Sequence, residues 1–493
     1  MEYLDPKKEF RHHIIIMVGY ACLAIAITIA TLVLLYQAYG FGLGKNGTVI
    51  QNSLTFFSSH PNPANIYIDG KQNKAQTNSR LVLPEGIYKV LLARDGYRDW
   101  QRTVELDGGS VQHYDYPFLF PKKLETKKIQ TYSAEPGLLA QSRDRRWLVA
   151  QQPASVVNFD VYDLKNPTKN AVVLTLPSTI LTKATSGESW RLGEWADDNQ
   201  HLLLQHLYDN KMEYILVDRV NPEKSLNLNT TLSASPTKIT LNDKKYDKYY
   251  LYDATANSLQ TASIDAPTPK SLLENVLSYQ SYGNDTVLYA TIADTPDAKV
   301  LIKLKVGDTT YPIRSFSPGT TYLLDLTKYS NSLYVTAGAS SQNKVYIYKD
   351  PIGQLHTRPK QALIPTQVLH VEQPNYLSFS NSAQFVMAQS GNQFGVYDIE
   401  NKKGFSYITT HPLDQDVSHA TWMDGNRLMY VSGGKLLVFD YDNTNQQELM
   451  ANSPRSLPAF SPDYAFVYGL TPSATAGQTD LSQTSLLSAA DHL

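Results

Sequence analysis

Cysteine is almost absent: Cys22 is the only one in 493 residues, and it lies inside an apolar N-terminal run. Disulfides and a cysteine-built metal cluster are therefore excluded, and thiol usage does not identify the compartment. An excess of charge is also missing, with 44 Lys and Arg against 46 Asp and Glu and a formal net charge of -2. Nucleic-acid binding normally needs a basic face, so composition speaks against it. The catalytic signatures Gly-x-Ser-x-Gly and His-Glu-x-x-His and the Walker-type glycine loop do not occur, and no glycine run is read as a dinucleotide fingerprint. From 120 to 470 no apolar run keeps a 3.6-residue period with caps at both ends, and Leu272 to Leu277 would form one helical turn at most.

What remains is a folded chain long enough for two or more domains, with 42% hydrophobic and 18% charged residues. Its 33 tyrosines suit the half-buried surfaces of sheets. Ile14 to Tyr36 carries no charged side chain. As a helix rising about 1.5 Å per residue it would span roughly 34 Å, enough for a hydrocarbon core of about 30 Å. Ala38-Tyr39-Gly40 is a weak match to a signal-peptide cleavage site, and the apolar region of a signal is shorter, so a retained anchor is expected. Lys7, Lys8 and Arg11 precede this run and only Lys45 follows closely, while Glu2, Asp5 and Glu9 count little. The expectation is a cytoplasmic N-terminus (1–13), a transmembrane helix (14–36), a linker (37–51) and everything beyond outside the membrane. His12 and His13 beside such an anchor read as interfacial residues rather than metal ligands.

Residues 52–120 hold several short β runs separated by turns. Ile66-Tyr67-Ile68 leads into Asp69-Gly70, a hairpin signal, since Gly accepts positive φ. Pro84-Glu85-Gly86 makes a turn before Tyr88 to Leu92, and Gly96-Tyr97 opens a last strand pair with Trp100, Val104 and Leu106 as apolar surface. Ile66, Tyr67, Asp69, Gly70, Lys71, Thr77, Leu81, Pro84, Gly86, Tyr88, Val90, Gly96 and Tyr97 resemble the PEGA domain, a small β-sandwich of surface and envelope proteins. Ile87 stands where that motif has alanine, and Asn78 where proline often follows the threonine. The resemblance implies an adhesion or spacer module outside the cytoplasm, without catalytic residues.

From 121 to 470 a turn followed by an apolar strand recurs, at 142, 194, 282, 328, 378, 421 and 459, with a poorer copy from 238. The spacing of about 40–50 residues is that of a four-stranded propeller blade. Gly433-Gly434 between two apolar runs reads as a hairpin turn. Phe460-Ser461-Pro462-Asp463, Trp195-Ala196-Asp197-Asp198 and Trp422-Met423-Asp424-Gly425 are similar to the propeller repeats of TolB-like and WD-type families. Eight front halves are matched by seven back halves. The ring has eight blades if 124–133 completes the last one, and seven otherwise. The Ser/Thr/Ala-rich segment 471–493 shows no strand pattern and is expected to be disordered.

Candidate chemistry is sparse. His201 and His206 are five apart and read as one strand and one loop residue. Asp440, Asp442 and Glu448 faintly evoke a calcium loop, but the glycine is missing and Ala451 stands where the bidentate Glu belongs. Tyr162-Asp163, Tyr252-Asp253, Tyr397-Asp398 and Phe439-Asp440 are expected one per blade at the same strand end, each Asp accepting turn hydrogen bonds. Glycosidase work would instead need two carboxylates facing across one site. Trp190, Trp195 and Trp422 are expected between blades rather than on sugars. No catalytic, cofactor-binding or metal-ligating residue is assigned, and the ligand-binding residues stay open. The expectation is therefore an all-β protein: a PEGA-like β-sandwich plus a seven- or eight-bladed propeller behind one transmembrane helix. It would act as a non-enzymatic binding or scaffold protein of the bacterial cell envelope, its partners being the membrane and an envelope protein or cell-wall polysaccharide, without cofactor or nucleic acid. An envelope carbohydrate-active enzyme with its site in the propeller mouth is the alternative, and a sensor with a cytoplasmic partner a weaker third.

Overall fold

The computed structural model describes residues 6–43, 48–293, 299–319, 321–359 and 361–491. Glu2, Asp5 and Lys45, used above for orientation, lie outside the described residues. The chain divides into two compact units, one running to Lys123 and including Ser488–Asp491, the other spanning Leu124–Leu487.

The first unit begins with a helix, Pro6–Ala38. Its stretch Phe10–Ala38 is long and apolar enough to cross a membrane. Two four-stranded sheets follow. One joins Phe41–Leu43, Val49–Phe57 and Ser79–Pro84, with Val111–Tyr114 parallel to Val49–Phe57. The other runs Lys71–Gln76, Asn65–Ile68, Gly86–Ala93, Trp100–Leu106. Trp100–Leu106, which follows the Gly96-Tyr97 turn, pairs with Gly86–Ala93. Phe57, Ile66, Leu92 and Trp100 are at most 2% exposed in the core between the sheets. Burial of each is worth about 1.5–3 kcal/mol.

The PEGA-type residues explain the turns. Asp69 (φ 50°) and Gly70 (φ 77°) form the two-residue turn, and the Asp69 carboxylate accepts from Lys89 N at 2.8 Å. The Thr77 hydroxyl accepts from Ala64 N at 2.8 Å inside the sandwich.

The second unit contains eight consecutive four-stranded antiparallel sheets, the blades of a propeller. Their first, inner strands are Leu139–Gln141, Ser189–Trp195, Lys238–Leu241, Val276–Tyr282, Tyr322–Tyr329, Tyr376–Phe379, Thr421–Trp422 and Ala459–Phe460. The eighth blade is completed by Thr126–Tyr132, which pairs with Thr479–Ser485 in the register Leu481↔Gln130 and Thr484↔Thr126. The ring is thus eight-bladed and closed by strands from both ends of the unit.

This corrects the disordered tail expected at 471–493. Strand Phe466–Pro472 reaches into it, Thr479–Ser485 is the third strand of a blade, and Ala489–Asp491 forms a 3-10 turn. The segment lacks an apolar pattern because Thr479–Ser485 is paired along both edges and, among the described residues, Leu481 and Leu486 are its only buried hydrophobic ones. Backbone hydrogen bonds, rather than side-chain periodicity, hold it. Gly433 (φ 58°) and Gly434 (φ 70°) form the expected turn, between Arg427–Ser432 and Lys435–Asp440. Leu272 to Leu277 is not helical: it spans the end of Lys270–Leu273, a bend with Asn275 at φ 56°, and the start of Val276–Tyr282. A short helix not foreseen, Pro351–Thr357, starts with Pro351 in its first turn and the Asp350 carboxylate accepting from Gly353 N at 3.1 Å.

Candidate functional site at the centre of the propeller

An inner strand has a sheet neighbour on one side only, so its other backbone groups need partners. Polar side chains supply them across the seams between blades. Gln141 of the first blade brackets Phe460 of the eighth, accepting from Phe460 N at 3.2 Å and donating to its carbonyl at 2.6 Å. The Glu194 carboxylate of the second blade accepts from Leu241 N of the third. Asp325 of the fifth accepts from Phe379 N of the sixth at 3.0 Å. Trp422 Nε1 of the seventh donates to Ser378 Oγ of the sixth at 3.1 Å.

The same strands bring ionisable groups together. Glu194 is ion-paired with Lys244, which lies just beyond the third inner strand. The Lys238 ammonium sits 5.4 Å from the ring centre of Tyr279, whose hydroxyl bonds Thr240 Oγ1 at 2.7 Å. Desolvation lowers the Lys238 pKa; Glu194 opposes that shift and Lys244 reinforces it. Burial pushes Asp325 up to about 6, against the N–H groups of Phe379 and Leu326 and the field of Lys244. Tyr376 and His419 stack with centroids 3.5 Å apart, and desolvation lowers the His419 pKa below 6.5, so the imidazole is neutral at pH 7. A cavity of about 420 Å³ opens where inner strands of four blades end, lined by Gln141, Arg143, Arg145, Asn381, Trp422 and Phe460. Polar groups from several blades thus converge, which the sequence did not reveal because they lie far apart in the chain. Each of these carboxylates is held by its own donors: Glu194 by Leu241 N and Lys244, Asp325 by Phe379 N and Leu326 N.

Of the residues singled out in sequence, Trp422 and Phe460 line this cavity, while the histidines and the Asp440 group lie elsewhere. His201 and His206 share one strand, His201–Tyr208, correcting the strand-and-loop reading. Five residues apart on a pleated strand, they point to opposite faces. His201 Nδ1 lies 2.6 Å from Asp198, while His206, fully buried, lies 2.9 Å from Glu213 and 3.3 Å from Glu188. Asp440 accepts from Asn445 Nδ2 at 2.8 Å, Asp442 binds the Thr444 hydroxyl at 2.7 Å, and Glu448 pairs with Lys435 at 2.7 Å. No group of three potential metal ligands occurs among the described residues.

Asp163, Asp253 and Asp398 each accept turn N–H groups, for example from Lys165, Thr255 and Glu400. Tyr252-Asp253, however, ends the second strand of its blade, whereas Asp163, Asp398 and Asp440 end third strands. It therefore lies at the opposite end of its blade, because successive antiparallel strands finish at opposite ends. Trp190, Trp195 and Trp422 are 2%, 3% and 9% exposed, and Trp190 Nε1 donates across a seam to Val156 O at 2.9 Å.

Residues 54–119 match the family model for the PEGA domain. No curated protein matches the chain. Among solved structures it is similar to the Dos1 propeller, at 15% identity and a TM-score of 0.46, covering 73% of this chain and 95% of that one. Kluyveromyces lactis Hsv2 is similar at 8% identity and a TM-score of 0.41, covering 65% and 99%. An oligogalacturonate lyase in complex with manganese is similar at 11% identity and a TM-score of 0.39, covering 74% and 98%.

Proposed function

We propose that this chain, a PEGA domain and an eight-bladed propeller behind an apolar N-terminal helix, is a membrane-anchored binding or scaffold protein of the bacterial cell envelope. The helix holds it in the membrane with residues 1–13 cytoplasmic and the rest outside. The PEGA domain acts as a spacer, and the propeller presents an interaction surface to an envelope protein or cell-wall polysaccharide. One observation supports this best: the acidic side chains of the inner strands, Glu194 and Asp325, are spent on clasping neighbouring blades. A rigid ring of this kind suits recognition by its loops. The full-length protein in detergent, mixed with native envelope polysaccharide and solubilised envelope proteins, should retain at least one of them. Retention of neither would remove the reading.

A second reading is favoured by the Asp325 carboxyl, poised near 6: an envelope carbohydrate-active enzyme working in the propeller mouth. It predicts that the protein releases reducing ends from envelope glycan and that Asp325→Asn stops this. Binding without turnover would end it.

A further inference from the structure

The seam where the ring closes carries a second cavity, of about 670 Å³, between the outer strand of the eighth blade and the outer part of the first. That size falls within the usual range of ligand sites, about 300–1,000 Å³. Its floor is a buried network that joins the outer strand of the eighth blade to the first blade. Tyr132 donates to Asp160 Oδ2 at 2.8 Å, Tyr162 shares a 2.8 Å contact between the two hydroxyls, and Gln152 Nε2 donates to Asp160 Oδ1 at 2.6 Å. Tyr132, Asp160 and Tyr162 are 5%, 6% and 7% exposed. Both Asp160 oxygens are thereby engaged, and among the described residues Asp160 is the only acid lining the cavity. Lys127, Lys128 and Lys169 also line it, all exposed and, among the described residues, without an ion pair. The cavity is polar, its open charge is positive, and Gln130, Thr131 and Ser133 add amide and hydroxyl groups around it.

We infer that this seam is a binding site for an anionic, hydroxyl-rich polymer, such as a carboxylated or phosphate-bearing envelope glycan. The lysines would meet the anionic groups, while the cavity's hydroxyls and amides would meet the polymer's own hydroxyls. The inference rests on the binding reading above and gives it a place and a ligand chemistry.

The test uses the full-length protein in detergent with polygalacturonate, poly(glycerol phosphate) and neutral dextran as probes, beside native envelope polysaccharide. At least one anionic polymer should bind and dextran should not, with affinity falling as salt rises. The two anionic arms separate a carboxylate from a phosphate source. K127E/K128E/K169E, which alters only exposed side chains, should weaken binding roughly tenfold or more at unchanged melting temperature. Anionic binding that survives the triple substitution overturns the seam assignment, as does failure of both anionic polymers. In either case, retention of native envelope polysaccharide or of solubilised envelope protein leaves the broader binding reading standing; retention of neither by the unsubstituted protein removes both.

Discussion

At the scale of single residues, two acids make opposite predictions about pH. Asp325 has its folded pKa raised from 3.8 to about 6, so the folded state holds its proton more tightly. Its contribution to stability is complete below about 4 and is lost as pH rises through 6, an effect on the order of 2 kcal/mol. The melting temperature should therefore fall with pH across that window relative to Asp325→Asn; parallel curves would refute the assignment. Glu213 behaves in the reverse sense. Desolvation raises its pKa, but hydrogen bonds from Thr182, His206 and Asn227 outweigh it and leave the value below the ordinary 4.5. That stability is present above 4.5 and is lost as pH falls through the folded value. Glu213→Gln should cost ~2–3 kcal/mol at pH 7 in urea unfolding, because the Thr182, His206 and Asn227 donors lose a charged acceptor. It should also blunt the acid dependence. His206 was visible in the sequence, but its partners Glu188 and Glu213 were not, since a strand pairing and an interblade loop bring them together.

At the scale of elements, Thr479–Ser485 decides whether the ring closes. Without it, Phe466–Pro472 and Thr126–Tyr132 each lose a neighbour and expose unpaired edges. Truncation after Pro472 should therefore make the propeller sensitive to limited proteolysis and deplete soluble protein, whereas truncation after Leu487 should leave its digestion pattern unchanged. A disordered tail would make the two truncations equivalent. The front half of every blade was legible in sequence because its turn and second strand carry apolar residues at a regular spacing. The two strands that close the ring were less so. Thr126–Tyr132 and Thr479–Ser485 are rich in Thr, Ser, Lys and Gln, and their pairing is by backbone. Tyr252-Asp253 shows the same limit: the residue pair repeats, while the strand it ends does not.

At the scale of the whole molecule, the proposal of an anchored protein makes one direct prediction. The full chain should sediment with membranes and resist carbonate extraction, while deletion of residues 6–38 should release it to the soluble fraction. Equal partitioning of both forms would remove the anchor. By itself the sequence determined the elements that depend on neighbouring residues: the apolar helix, the Asp69-Gly70 and Gly433-Gly434 turns, the PEGA motif and the blade period. These rest on chain periodicity and on φ preferences, which act over a few residues. Only the tertiary structure decided the number of blades, the ordered end of the propeller and the meeting of Glu194, Lys238, Lys244 and Asp325 at its centre. Those depend on which strands pair and which blades abut, and the side chains involved lie tens to hundreds of residues apart, so no local pattern records them.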